Sequence, residues 1–174
     1  FITVLEDAGL IYELDCFVWD SVCEDLHRWN QQGQYRAISV NVSRNDITED
    51  RDIPELFRAL IQKYDLKADQ LRIEITETAF AEKSELLIRT TEKLKSYGFK
   101  VEMDDFGSGY SSLNSLKDIS VDVLKLDMKF FEKTNDPARA KKIIESVVKL
   151  AYNLKMVVIA EGVEEFDQVK MLQS

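Results

Sequence analysis

Residues 100–112 read KVEMDDFGSGYSS, a short apolar strand pattern that ends in two acidic residues and a glycine-rich turn. Neighbouring side chains of a strand point to opposite faces, so Asp104 and Asp105 can face one site only where the backbone turns. Gly107 and Gly109 permit such a turn. The stretch predicts a divalent-metal site at one end of a parallel α/β barrel. Capping of a following helix is the alternative for the two aspartates.

The same order of strand and helix recurs on both sides of this stretch. Five strand-helix units predict βαβ connections and a parallel sheet in one domain. The predicted strands are Ala37–Ser43, Leu71–Thr76, Lys100–Asp104, Val121–Asp127 and Met156–Glu161, and the predicted helices cover about 9–31, 53–64, 82–97, near Ser111–Leu116, 137–154 and from Glu164 onward.

Composition and charge exclude several classes of protein. The chain has 174 residues, 45% hydrophobic residues and a net charge of −9, and it contains no apolar run near the roughly 20 residues of a membrane helix. An acidic chain disfavours binding to DNA or RNA polymers. No signal peptide is visible, and the missing first Met indicates a chain cut from something larger. We therefore expect a cytoplasmic domain without membrane contact of its own.

Two features of the first predicted helix could suggest other chemistry. Cys16 and Cys23 are separated by roughly 10 Å in a helix, too far for a disulfide, and we expect two buried thiols in a reducing compartment. His27 has no second metal-type ligand at helical spacing, so we expect a surface or half-buried histidine.

Polar residues recur at the carboxyl ends of the predicted strands, the functional edge of parallel α/β folds. Converging carboxylate and amide oxygens favour hard ions such as Mg²⁺ or Mn²⁺. Individual residues have simpler alternatives: an exposed edge strand for Glu74 and Glu77, a turn for Asn41, and a structural pair of Lys125 with Asp127. The residues at the strand ends are Asn41, Glu74, Asp104 with Asp105, Lys125 with Asp127, and Glu161.

Five motifs in order resemble the EAL domain, the phosphodiesterase module for cyclic di-GMP. They are Val40–Ser43, Glu74–Glu77, Asp104–Ser112, Leu124–Asp127 and Ala160–Glu164. The opening segment Phe1–Ile11 is also similar to the family. The resemblance spans the chain and implies a modified TIM-type (β/α)8 barrel that hydrolyses cyclic di-GMP to linear diguanylate.

The resemblance also implies a role for each matching residue. Asn41, Glu74, Asp104 and Asp105 would ligate two Mg²⁺ or Mn²⁺ ions, while Lys125, Glu161 and Asp105 would be catalytic. The implied substrate, loop and supporting residues are Glu77, Phe106, Gly107, Ser108, Gly109, Tyr110, Asp127 and Glu164. The 106–112 loop would also contribute to a homodimer, and fused GGDEF, sensory or receiver domains are common in the family.

The sequence departs from the family at both ends. It lacks the Glu-Ala-Leu motif and the carboxyl-terminal segment, and about five strand-helix units cannot close an eight-stranded barrel of roughly 250 residues. We therefore expect residues 1–174 to be part of an EAL-type domain in a longer protein, which could be membrane-anchored; a damaged copy of the domain is the alternative. An inactive receptor for cyclic di-GMP, or an interaction scaffold, is the alternative to an enzyme.

Overall fold

The computed structural model describes residues 5, 8–81, 85–108, 116–117, 119–127, 136–163, 166 and 168–169. The chain divides into two compact units, Phe1–Ile75 with Lys83–Val101 and Thr76–Glu82 with Glu102–Ser174. The elements are α1 (Ile11–Gln31), β1 (Ile38–Asn41), α2 (Ile53–Lys63), a 3-10 turn (Ala68–Gln70), β2 (Leu71–Thr76), α3 (Glu77–Ala81), α4 (Glu85–Ser96), β3 (Lys100–Phe106), β4 (Val123–Leu126), α5 (Pro137–Asn153) and β5 (Val157–Ala160).

The first unit is built on a parallel pair of strands. β1 and β2 pair in register from Ile38 with Leu71 to Asn41 with Glu74. The β2 side chains alternate between buried and half-buried, the pattern of a strand with one face in the core. Aromatic rings fill the core beside these strands: the ring centroids of Trp19, Phe57 and Phe99 follow one another at 4.9 and 6.0 Å.

Helix α1 was predicted correctly, but its apolar pattern gives only part of the buried face. The buried residues are Trp19, Cys23 and Leu26, at steps of four and three residues. The apolar set that recurs at steps of three and four residues, and that predicts the helix, is Leu10, Leu14, Phe17, Val18, Val22, Leu26 and Trp29. Of these, Phe17 and Val18 are 69% and 40% exposed. Trp19 was absent from that set because the apolar residues around it also recur at helical steps.

Helix α2 begins where its sequence predicts. Asp52 caps the helix by accepting a hydrogen bond from the backbone N–H of Glu55 at 3.2 Å, and Pro54 lies in the first turn. Lys93 of α4 donates to the same Asp52 carboxylate at 2.7 Å. One carboxylate thus caps α2 and joins it to α4.

The second unit is built on three parallel strands. β3 pairs with β4 at Met103 and Leu124, and β4 pairs with β5 at Leu124 and Val158. All four β4 residues are buried. Helix α5 begins at a capping aspartate, since Asp136 accepts a hydrogen bond from the backbone N–H of Arg139 at 3.0 Å.

The predicted α/β order is confirmed for all five strands. β3 continues to Phe106, two residues beyond its predicted end. The helix predicted over 82–97 is found as α4, and the short α3 and the 3-10 turn were not predicted. Residues 111–115 and Glu164, where two further helices were predicted to begin, lie outside the described residues.

Three smaller expectations concern the described part of the chain. Cys16 and Cys23 form no disulfide; Cys23 is buried as predicted, but Cys16 is half-buried, so the prediction of two buried thiols is wrong for Cys16. His27 is half-buried, with Nδ1 at 2.7 Å from the carbonyl oxygen of Tyr64 and Nε2 at 2.8 Å from the side-chain amide of Gln31. Among the described helices, none combines the length and apolar composition of a membrane span.

Candidate active site

The end of β3 bends at the two aspartates. The pairing of β3 with β4 is irregular between Met103 and Phe106, and Asp105 has a φ of 56°, in the left-handed region. This conformation costs about 1 kcal/mol or more for a residue other than glycine, and such strain is concentrated at functional sites. The Asp104 carboxylate accepts the backbone N–H of Asp105 at 2.9 Å. The left-handed residue is therefore Asp105 itself, two residues before the first glycine.

A tight turn follows the two aspartates. The backbone N–H of Ser108 donates to the carbonyl oxygen of Asp105 at 3.0 Å, and Gly107 has a φ of 97°. A type II turn requires a positive φ at its third residue, which explains the glycine. The Glu77 carboxylate accepts the N–H of Gly107 at 2.8 Å and is only 1% exposed. Glu77 is therefore a buried anchor of the loop, and the exposed-edge alternative for it is wrong.

Lys125 lies between two carboxylates. Its ammonium nitrogen is 3.3 Å from Asp104 Oδ1 and 2.7 Å from Glu161 Oε1, and the residue is 8% exposed. A lysine is rarely buried unless it is paired, so these carboxylates stabilise its charge. The structure thus brings together three predicted site residues, from the ends of three neighbouring strands in the second unit.

Backbone hydrogen bonds fix the residues that follow β4 and β5. The N–H of Asp127 donates to the carbonyl oxygen of Phe106 at 3.2 Å, and the N–H of Glu161 donates to that of Leu126 at 3.0 Å. Each bond continues the parallel ladder one residue past the strand. The main chain at Asp127 and Glu161 is therefore fixed by the same type of hydrogen bond as the strands themselves.

The carboxylates of this unit affect one another electrostatically. Partial burial raises the pKa of Asp105, and so do the negative charges of Asp104, Asp127 and Glu161 and a hydrogen bond with Asp127. Crowded acidic groups of this kind are typical of sites that bind cations or transfer protons. A divalent cation would offset the repulsion.

The two remaining predicted ligands lie in the first unit. Asn41 and Glu74 are direct partners in the β1–β2 register, and the N–H of Val42 donates to the Glu74 carbonyl oxygen at 2.8 Å. Asn41 ends a strand, and the turn that was its alternative begins only at Ser43. The Trp19 indole N–H donates to the Asn41 carbonyl oxygen at 3.0 Å, a contact that no motif in the sequence indicated.

Each unit by itself offers the type of ligand that hard divalent ions prefer. Asp104 and Asp105 carry carboxylate oxygens in the second unit, and Asn41 and Glu74 carry amide and carboxylate oxygens in the first. Within the described part of the chain, no three His, Cys, Asp or Glu side chains form a closed ligand group, and Asp104 is directed toward the Lys125 ammonium. Gly109, Tyr110 and Glu164, three further predicted site residues, lie outside the described residues.

Comparison with known proteins identifies the family. The EAL domain model matches residues 1–174, and the chain belongs to the EAL domain family. It is 33% identical, over 99% of its length, to the probable cyclic di-GMP phosphodiesterase PdeB of Escherichia coli, of which it covers 32%. The curated relatives are longer proteins, since the chain spans 21% to 32% of three of them.

Solved structures give the same answer for the fold. The PaMucR phosphodiesterase in complex with c-di-GMP matches with a TM-score of 0.87 and 28% identity, covering 99% of this chain and 75% of that one. BlrP1 of Klebsiella pneumoniae, in a calcium and cy-diGMP complex, matches with a TM-score of 0.84 and 25% identity, covering 95% of this chain and 42% of that one. EAL domains are TIM-barrel-like, which confirms the predicted fold class.

Proposed function

We propose that residues 1–174 are the catalytic part of a metal-dependent phosphodiesterase that hydrolyses one phosphodiester bond of cyclic di-GMP to give linear diguanylate. The observation that carries the proposal is the buried Lys125 ammonium, held by Asp104 and Glu161 beside the strained Asp105. Membership of the EAL family and the phosphodiesterases among its relatives supply the substrate class.

Lys125 is the cationic group of the proposed reaction. Because two carboxylates hold its ammonium nitrogen, the group is fixed before substrate binds and loses little entropy on binding. An ammonium donates well to a phosphoryl oxygen, whose negative charge grows as water attacks phosphorus. Lys125 would stabilise that charge and orient the attacking water.

Glu161 is the proposed general base. Its Oε1 is held by Lys125 at 2.7 Å, while the side chain remains 44% exposed. The second oxygen, Oε2, would accept the proton that the attacking water loses. A carboxylate held on one side and open on the other can transfer a proton without losing its position.

The metal ions are proposed as Mg²⁺ or Mn²⁺, two per domain, with Asn41, Glu74, Asp104 and Asp105 as ligands. Bound divalent ions would lower the pKa of a water molecule and neutralise charge on the phosphodiester. They would also let a chain of net charge −9 accept a dianionic nucleotide.

The loop after β3 has a supporting role in the proposal. The Glu77 carboxylate accepts the N–H of Gly107, and the backbone carbonyl oxygen of Asp105 accepts the N–H of Ser108. The backbone that carries Phe106 is therefore fixed from two sides. Asp127 would keep the Asp105 carboxylate in place. The loop would contact the substrate and a second protomer, and the homodimer, fused signalling domains and cytoplasmic location stay predictions.

The test uses the full-length protein that contains this chain. Cyclic di-GMP is incubated with Mg²⁺ or Mn²⁺, and the products are separated by liquid chromatography. We expect linear diguanylate, and we expect no product when EDTA removes the ions. Tight calorimetric binding of cyclic di-GMP without turnover would support the receptor alternative. Absence of both binding and turnover would support the interaction-scaffold alternative.

A further inference from the structure

Helix α1 contacts the end of β1 and the segment that follows it through two side chains that lie one helical turn apart. Trp19 donates its indole N–H to the carbonyl oxygen of Asn41 at 3.0 Å. Asp15 lies four residues earlier, on the same face of the helix, and its carboxyl group is within hydrogen-bonding reach of Asp46. One helix face therefore holds the segment Asn41–Asp46 near both of its ends.

Asp46 is completely buried, with 0% exposure. One carboxylate oxygen, Oδ2, accepts the backbone N–H of Ser43 at 2.7 Å, and the N–H of Asp46 donates to the Ser43 carbonyl oxygen at 3.1 Å. The other oxygen, Oδ1, is buried, and none of the N–H or O–H groups that the structure describes donates to it. A buried carboxylate oxygen without a donor is costly, so this atom needs a proton donor nearby.

The other charged or titratable groups around the pair do not supply one. The Arg51 guanidinium lies over the Tyr12 ring at 3.8 Å from its centroid and donates to the carbonyl oxygen of Asn45 at 3.0 Å. Tyr12 and Cys16 hydrogen-bond to each other, and burial raises the pKa of both. Both groups are therefore neutral near pH 7 and add no positive charge.

We propose that Asp15 and Asp46 share one proton, and that this carboxyl pair positions the Asn41–Asp46 segment against α1. The Asp15 O–H donates to the Asp46 carboxylate, so one proton satisfies the orphaned oxygen and removes the repulsion between two carboxylates. Positioning of Asn41 as a metal ligand rests on the function proposed above, whereas proton sharing does not.

The pair makes the first unit sensitive to pH in a defined direction. Burial, the negative charge of Asp46 and the hydrogen bond with Asp46 raise the pKa of Asp15 from its ordinary 3.8 to about 6. Because the folded pKa lies above the ordinary value, the stabilisation is complete below about pH 4 and is lost as the pH rises through about 6. Above that range the two carboxylates repel each other.

The first test needs no substitution. In protein labelled with ¹³C at aspartate side chains, the Asp15 carboxyl resonance should titrate with a midpoint near 6, and the Asp46 resonance should shift with it. An Asp15 midpoint near 3.8 would overturn the proposal, because Oδ1 of Asp46 would then have to be satisfied by water or a cation.

The second test replaces the shared proton by a permanent donor. Asp15→Asn places an amide N–H where the carboxyl O–H lies, so the thermal midpoint at about pH 8 should rise and its decline between about pH 5 and pH 8 should flatten. Glu13→Gln removes a carboxylate from an exposed position two residues away and should leave that decline unchanged. A midpoint at about pH 8 that falls in Asp15→Asn would contradict proton sharing.

The third readout concerns positioning. Replacing Trp29 with phenylalanine leaves Trp19 as the tryptophan of residues 1–174. In that Trp29→Phe protein, Trp19 fluorescence should change with pH near 6. When Asp15→Asn is added, the fluorescence should stay constant over the same range. If the protein hydrolyses cyclic di-GMP, the alkaline decline of kcat/KM should lessen in the same variant. If the protein is inactive but shows the expected resonance and fluorescence changes, the proton-sharing pair is supported and the proposed reaction is refuted. Failure of the inference and failure of the proposed function can therefore be distinguished.

Discussion

The two units use lysine–carboxylate pairs for different purposes. In the first unit, Lys93 pairs with Asp52 at 2.7 Å and with Glu55 at 3.6 Å, and its side chain is 39% exposed. In the second unit, the Lys125 side chain is only 11% exposed and also lies between two carboxylates. The arrangement is the same, but one lysine joins helices at the surface and the other is enclosed at the ends of parallel strands.

The acids near these two lysines also differ in the direction of their pKa shifts. A hydrogen bond from Lys93 lowers the pKa of Asp52, whereas burial and neighbouring carboxylates raise the pKa of Asp105. Asp52 is therefore stabilised in its charged form, and Asp105 is destabilised in that form. Enclosed charge that is incompletely balanced is typical of reactive sites, and of these two lysine–carboxylate groups only the one around Lys125 is enclosed.

The largest effect is expected from Asp105→Asn, which removes one carboxylate from the crowded group. Turnover of cyclic di-GMP should be abolished, because asparagine binds a hard divalent ion far more weakly than a carboxylate. The fold should persist, since asparagine tolerates a left-handed backbone. Turnover assays and far-ultraviolet circular dichroism measure the two outcomes.

Asp65 provides the matched control for this substitution. It is also an aspartate with a left-handed backbone, at a φ of 50°, but it follows α2 in the first unit. Asp65→Asn should leave turnover unchanged. A loss of secondary structure in Asp105→Asn, with Asp65→Asn intact, would mean that the Asp105 carboxylate is structural.

The next effect is expected from Lys125→Met, which keeps the length of the side chain and removes its charge. Turnover should fall by roughly 100- to 1,000-fold, the loss typical of removing one group that stabilises transition-state charge. Because Asp104 and Glu161 lose a cation, the affinity for Mg²⁺ should change in the same variant. Calorimetric titration and kcat measurements test these effects.

Lys93→Met is the control, because Lys93 also bridges two carboxylates. It should reduce the thermal midpoint slightly and leave kcat unchanged. Equal losses of turnover in Lys93→Met and Lys125→Met would remove the distinction between the two units.

The sequence predicted the strands well and the backbone of the site poorly. Apolar runs between polar ends located all five strands, because burial of a parallel sheet requires such runs. The left-handed Asp105 was not predicted, because glycine two residues later was a sufficient explanation for the turn. Asp46 lies in a polar segment that reads as a surface loop, and only the fold shows that it is buried.

A smaller effect is expected from Asp52→Ala, which removes the cap of α2 and the partner of Lys93. The free energy of unfolding should fall by about 1 kcal/mol at neutral pH, as for other capping residues. Since the Asp52 pKa is lowered from 3.8, this stabilisation is present above about pH 4 and is lost as the pH falls through the lowered value. Denaturant unfolding should show a smaller difference in the free energy of unfolding between parent and variant at about pH 3 than at about pH 7. Turnover at about pH 7 should be unchanged.

The smallest effect is expected from Asp20→Asn at the surface of α1. Lys63 donates to Asp20 at 2.7 Å, but the two side chains are 57% and 41% exposed, and solvent screens such pairs. Asparagine can still accept the Tyr64 hydroxyl that Asp20 accepts at 2.9 Å. The thermal midpoint should therefore change by no more than about 2 °C, and the change should disappear at about 1 M salt. A larger, salt-independent loss would show that surface charge in the first unit contributes as much as the enclosed charge around Lys125, and would refute the contrast between the two units.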